Sequence, residues 1–127
     1  MAIKAKYKFW VEKDGAVVVG NGRVSLLKLI DELGSIQKAA DKMGMSYRHA
    51  WGFVRKVENR SGIKFVETEI GGREGGGARL TQEGREFLKT YSSFRDGINE
   101  FIDNKFKEAF KKSDQRSAVS NVRKTDS

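Results

Sequence analysis

An α+β fold is what the sequence predicts, and three observations carry that expectation. A stretch of period two near the N-terminus is followed by an Asp-Gly turn and a second short apolar run, the mark of a β-hairpin. Between Ser35 and Leu80 a short helix, a glycine turn at Gly44, a second helix and a glycine-rich hairpin follow one another. From Phe87 onward, apolar residues recur at spacings of four and three, the period of a long helix with one apolar seam. Together these describe a winged helix-turn-helix with an N-terminal β-hairpin and a long C-terminal dimerisation helix. The expected divisions are 1–20 for the hairpin, 21–81 for the winged helix-turn-helix, 82–112 for the dimerisation helix and 113–127 for a disordered tail.

In the first element, Ile3, Ala5, Tyr7, Phe9 and Val11 alternate with Lys4, Lys6, Lys8, Trp10 and Glu12. That predicts one half-buried strand over Ile3–Glu12, its Tyr7/Phe9/Val11 face packed on the helices. Asp14-Gly15 supplies positive φ for a turn, and Ala16–Val19 returns as the second strand. Gly20-Asn21-Gly22 ends the hairpin. Arg23–Leu33 then reads as a helix with Leu26, Leu27, Ile30 and Leu33 as its apolar stripe and Gly34 as its C-terminal cap.

Ser35 is a good N-cap for a helix over Ile36–Met43, where Ile36, Ala39, Ala40 and Met43 face inward. Gly44 ends that helix, Met45 enters the core and Ser46 caps the next one. In this third helix Ala50, Val54 and Val57 mark the buried face, and Tyr47, Arg48, Trp51, Gly52 and Arg55 the other. Trp51 has two readings of equal weight, packing between helices or lying along a groove wall. Gly52 costs about 1 kcal/mol of helix propensity, which close approach to a partner surface would explain. Lone His49 reads as a half-exposed polar residue.

Ile63–Ile70 is rich in β-formers, and Ala78-Arg79-Leu80 returns after the glycine run Gly71–Gly77. A phosphate cradle of the nucleotide-binding kind is the competing reading of those glycines. It fails because no Gly-Lys-Ser/Thr follows and the run lies between two strands. Thr81 caps the last helix, with Glu83 in its first turn. Its seam comprises Phe87, Tyr91, Phe94, Ile98 and Phe101, continued out of phase by Ile102, Phe106 and Phe110. A seam of this length calls for a second copy to cover its later part.

Composition narrows the chemistry. Lys and Arg number 25 against 17 acids, a net charge of +8 over 127 residues. Such an excess favours a polyanion, because each neutralised phosphate releases condensed counterions, although a surface made basic for solubility would look the same. There is no cysteine and only one histidine, which excludes disulfides and thiolate sites and leaves no paired imidazoles for metal or base catalysis. No apolar run approaches the ~20 residues of a membrane span. We therefore expect a cytoplasmic protein with no membrane, metal or cofactor partner and no catalytic residues.

The stretch Arg23–Leu88 carries a combination of short signatures. They include Gly34-Ser35-Ile36, Ala39-Ala40, Gly44-Met45-Ser46-Tyr47, Ala50-Trp51, Val66-Glu67-Thr68, Gly71-Gly72, Gly75-Gly76-Gly77-Ala78 and Leu80-Thr81. In these residues the chain resembles the N-terminal domain of the molybdate-responsive transcriptional regulators, the ModE family, related to LysR-type DNA-binding domains. The resemblance implies a homodimeric transcription factor on double-stranded DNA, with the helix after Ser46 in the major groove and the Gly71–Gly77 wing on the backbone. It implies molybdate sensing only through further C-terminal domains. The residues after Phe110 are too few and too polar to form one, so a stand-alone form without molybdate binding is expected. Ser35, Gln37 and Lys38 would meet phosphates, with Ser46 at the start of the groove helix. Tyr47, Arg48 and Arg55 would read bases beside Trp51, and Arg73 and Arg79 would anchor the wing. Two other functions stay open: a non-specific architectural DNA-binding protein of the chromatin type, and a winged-helix protein-interaction adaptor.

Overall fold

The computed structural model describes residues 3–69 and 77–119, with side chains to residue 111. Two compact units divide it, one of Lys8–Thr90 and one joining Met1–Tyr7 with Tyr91–Ser127. In the first, the order is β1 (Trp10–Lys13), β2 (Ala16–Gly20), α1 (Asn21–Leu33), α2 (Ile36–Met43), α3 (Tyr47–Ser61), β3 (Val66–Glu69) and β4 (Gly77–Leu80). The last helix, α4 (Gln82–Val119), begins in this unit and continues into the second.

The N-terminal hairpin is shorter than the alternation predicts. β1 pairs antiparallel with β2 from Trp10↔Gly20 to Lys13↔Ala16, with an irregularity between Val11 and Glu12. Asp14 and Gly15 turn the chain at φ 52° and 80°. Residues 3–9 are not strand, because β2 ends at Gly20 where α1 begins and leaves no backbone for them to pair with. Phe9 and Val11 keep the half-buried side, whereas Tyr7 is exposed and its hydroxyl donates to the side-chain oxygen of Asn99.

The three central helices follow their stripes closely. Leu26, Leu27 and Ile30 of α1, Ile36, Ala39 and Ala40 of α2, and Ala50, Val54 and Val57 of α3 are buried together. Ala39 and Ala40 are fully inaccessible, and their small side chains let α2 sit against both α1 and α3. Leu33 and Met43, at helix ends, stay half-buried. Met45 is also half-buried rather than a core plug.

The wing stem is held by groups from outside it. One Glu58 carboxylate oxygen accepts the N–H groups of Phe65 and Val66, at 2.9 and 3.0 Å. β3 starts at Val66 instead of Ile63, because its partner strand ends at Leu80 and the Thr81 hydroxyl takes the Lys64 carbonyl. On the other strand, Asp31 accepts the Leu80 N–H at 3.0 Å and the carbonyl of Gly34 accepts the Ala78 N–H at 3.0 Å. Beneath the stem, Phe65 is fully buried and meets Phe87 edge-on at 5.4 Å. Thr81 caps α4 as expected: its hydroxyl accepts the Gly84 N–H at 2.9 Å and donates to the Lys64 carbonyl at 2.6 Å. Gly84 lies so close to Phe65 that a Cβ there would meet its ring carbon at 3.0 Å and its carbonyl oxygen at 3.1 Å.

Arg85 forks onto Asp31 with contacts of 3.0 and 2.9 Å, tying α4 to α1. The Arg85 hydrogen bond first, and then that from the Leu80 amide, hold the Asp31 carboxyl below its ordinary value against the opposing effect of burial. A depressed carboxylate stabilises the fold above its unfolded pKa, and that contribution disappears as pH falls through the folded value. We therefore expect the urea midpoint of Asp31→Asn to lie below the parent's at neutral pH and to converge with it in the acid range. Parallel curves would contradict this role for Asp31. Asparagine keeps an oxygen for the Leu80 amide, so what it removes is the charge and one oxygen of the Arg85 fork.

In the second unit, Phe101 is 63% exposed, and Phe106 stacks on Phe110 with ring centroids 4.5 Å apart. α4 is described to Val119, past the boundary at 112 that loss of periodicity predicts. Lys112–Val119 contains neither glycine nor proline, so nothing in it stops a helix already under way.

Candidate nucleic-acid interface

Two serine caps set the helix-turn-helix. The Ser35 hydroxyl oxygen accepts the Lys38 N–H at 3.0 Å, and that of Ser46 accepts the His49 N–H at 3.0 Å. Between them Gly44 takes φ 71°, which a side chain would strain, and the Met45 N–H bonds to the Ala40 carbonyl at 3.0 Å. This fixes the start of α3 as an ordered, outward end. Each serine hydroxyl keeps its own proton to donate.

On α3 the predicted outward residues come together as a ladder. The Trp51 indole N–H donates to the Tyr47 hydroxyl at 2.8 Å, and the Arg55 guanidinium lies 5.5 Å from the Trp51 ring centroid. Successive members are four residues apart, so they line one side of the helix. Trp51 is half-buried within this ladder. Tyr47 is 45% exposed, and its hydroxyl still has a proton to give. Arg48 is exposed at the leading turn. Nothing lies within 4 Å of where a Gly52 Cβ would be, so the surface beside the ladder is open.

The flanking residues are arranged less uniformly. Lys38 is exposed, while the Gln37 amide donates to Asp41 at 2.8 Å. Arg79 sits across the hairpin from Glu67, with an ion-pair distance of 3.5 Å between largely exposed side chains. Such a pair is worth little in water and can be exchanged for a phosphate. Arg73 and the wing tip, residues 70–76, lie outside the described residues. Among the described residues, Lys38, Arg48 and Arg55 form no ion pair. His49 is exposed and its ring lies 4.7 Å from that of Phe53.

Sequence reasoning did not identify Asp31, Glu58 and Arg85 as the groups that seat the wing. Asp31 meets Leu80 and Arg85 across 49 and 54 residues of chain, and Glu58 reaches past the end of its own helix to Phe65 and Val66, so no helix or strand period marks them. No described helix is long and apolar enough to cross a membrane.

Comparison with known proteins bears out the resemblance. Residues 23–85 match the family described as bacterial regulatory helix-turn-helix protein, lysR family. The molybdenum-pterin-binding protein MopB of Rhodobacter capsulatus is 36% identical over 92 residues, which are 72% of this chain and 34% of that protein. The DNA-binding transcriptional dual regulator ModE of Escherichia coli K12 is 41% identical over 69 residues, 54% of this chain and 26% of that one. The chain thus spans about a quarter to a third of the length of these relatives. Among solved structures, the CbnR DBD in its crystal complex with DNA shares the fold, with a TM-score of 0.57 at 19% identity, covering 72% of this chain and 99% of that one.

Proposed function

Residues 23–85 are a helix-turn-helix domain of the LysR-type family of DNA-binding regulators, and on that premise we propose a sequence-specific transcriptional regulator acting as a homodimer. The observation that carries the reading is the outward side of α3. It presents Arg48 and the Tyr47–Trp51–Arg55 ladder on a helix whose start is fixed by the Ser46 cap. α3 enters the major groove, where Arg48 forks onto a guanine edge and Tyr47 reaches a phosphate or a thymine methyl. Gly52 lets the backbone come close to the groove wall. Ser35 and Lys38, with Gln37 released from Asp41, meet the backbone beside α2. Arg79, with Arg73, lays the wing along the phosphates.

The exposed aromatic side of α4 supports pairing of two copies through that helix, which would place two α3 helices on successive half-sites. Molybdate has no role in this proposal, and no oxyanion site is assigned.

Binding-site selection from random duplexes tests the function. The expected result is a two-part motif, bound at least about a thousandfold more tightly than random duplex at one fixed salt concentration. Equal affinity for selected and random DNA would replace the proposal with architectural binding. No duplex shift even at low salt would favour the adaptor role.

A further inference from the structure

A cavity of about 500 Å³ opens between the N-terminal hairpin, the start of α1 and the turn from α2 to α3. Sites for small molecules typically run from ~300 to ~1,000 Å³ and are mostly apolar with a few placed polar groups. Phe9, Trp10 and Val17 of the hairpin region, Met43 and Met45 on either side of Gly44, and Phe53 of α3 supply the apolar lining. The methionines give it soft, adaptable walls that suit contact with an aromatic ring.

Its charge is one-sided. Lys8 and Arg23 line the cavity and no carboxylate does. Arg23 is held in place: Nη1 donates to the carbonyls of Val17 and Val18 at 3.0 and 3.2 Å, and the guanidinium lies 5.2 Å from the Phe53 ring centroid. Arg60 donates to the same Val17 carbonyl at 2.7 Å. Two cations therefore converge on one oxygen, with no carboxylate paired to either among the described residues. Partial burial, and then repulsion from Arg60, lower the Arg23 pKa from its ordinary value. An anion beside Arg23 offsets that repulsion, and the remaining guanidinium N–H groups can fork onto it.

We propose that this cavity is an effector site for a small planar aromatic carboxylate, with its ring against Phe9, Phe53 and the two methionines and its carboxylate at Arg23 and Lys8. Met43 and Met45 bracket the Gly44 turn and Phe53 rides on α3, so filling the cavity changes how α3 is set against α2. That second effect rests on the DNA-binding reading above; occupancy itself does not.

The chain has 3 methionines, Met1, Met43 and Met45, which makes methyl-labelled protein a direct probe. In a titration of the full chain with 1-naphthoate, the Met43 and Met45 methyl resonances are expected to move and saturate below about 1 mM. The neutral analogue 1-naphthalenemethanol is expected to bind at least about tenfold more weakly, and Lys8→Gln to weaken naphthoate without weakening the alcohol. No saturating movement of either cavity methionine overturns the site, and equal affinity for acid and alcohol overturns its anion preference. These titrations contain no DNA, so their outcome is independent of whether the chain reads a sequence. Repeated with the selected duplex, saturating naphthoate is expected to change DNA affinity by about fivefold or more, and an unchanged value overturns the effector role.

Discussion

Replacing Arg48 with alanine is expected to lower affinity for the selected duplex roughly 10- to 100-fold and to change affinity for random duplex far less. A bidentate arginine–guanine contact discriminates by about 1–3 kcal/mol, which sets that range. Arg48 suits the role because it is exposed at the leading turn of α3 and forms no ion pair among the described residues. Nothing in the domain has to be broken before it meets a base. Lys38→Gln is the contrasting variant, since a lysine on phosphate carries no base information. It should weaken selected and random duplexes alike and reduce the magnitude of the salt slope by about 1. Selection repeated on the Arg48→Ala protein should recover a motif degenerate at one position in each half-site. An unchanged motif with unchanged affinity would move base reading from Arg48 to other residues on this side of α3.

The parts legible in the sequence are those whose causes are local. Ser35, Gly44 and Ser46 act within a few residues of themselves, and α2 begins and ends, and α3 begins, where those residues place them. The stripes of α1 to α3 were equally plain, because burial on one side of a helix needs only the 3.6-residue period. Elements that depend on remote partners were not. Residues 3–9 alternate as a strand should, yet a strand also needs a neighbour, and the length of β2 is set by where α1 starts. Ile63–Phe65 has β-forming side chains, but the Phe65 amide is taken by Glu58 and the Lys64 carbonyl by Thr81. Gly84 shows the same limit from the packing side. In sequence it is a glycine in the first turn of a helix, and only the fold shows that Phe65 fills the space a side chain would need. In the candidate site, the residue types on the outer side of α3 were readable from spacing. The ladder was not, because rotamers and the Trp51–Tyr47 hydrogen bond decide it.

Charging the α4 seam is expected to separate the proposed dimer without unfolding its subunits. Phe94 and Phe101 are 53% and 63% exposed and lie seven residues apart, nearly in line along the helix. Burying the accessible part of each ring against a second copy should contribute about 1 kcal/mol or more, given ~25 cal/mol per Å² of apolar surface. A two-fold interface contains each ring twice, so the double change Phe94→Glu/Phe101→Glu should raise the dimer dissociation constant at least about a thousandfold. Glutamates facing their symmetry mates add repulsion, while glutamate's helix propensity keeps α4 helical. Sedimentation should therefore show a monomer whose far-ultraviolet dichroism matches the parent. On DNA the monomer should bind single half-sites as the parent's isolated half does and lose the gain from joining two of them. A variant that still sediments as a dimer would place the contact between copies away from Phe94 and Phe101. A parent that sediments as a monomer at working concentration would remove the dimer from the proposal, and α3 would then have to select its site alone.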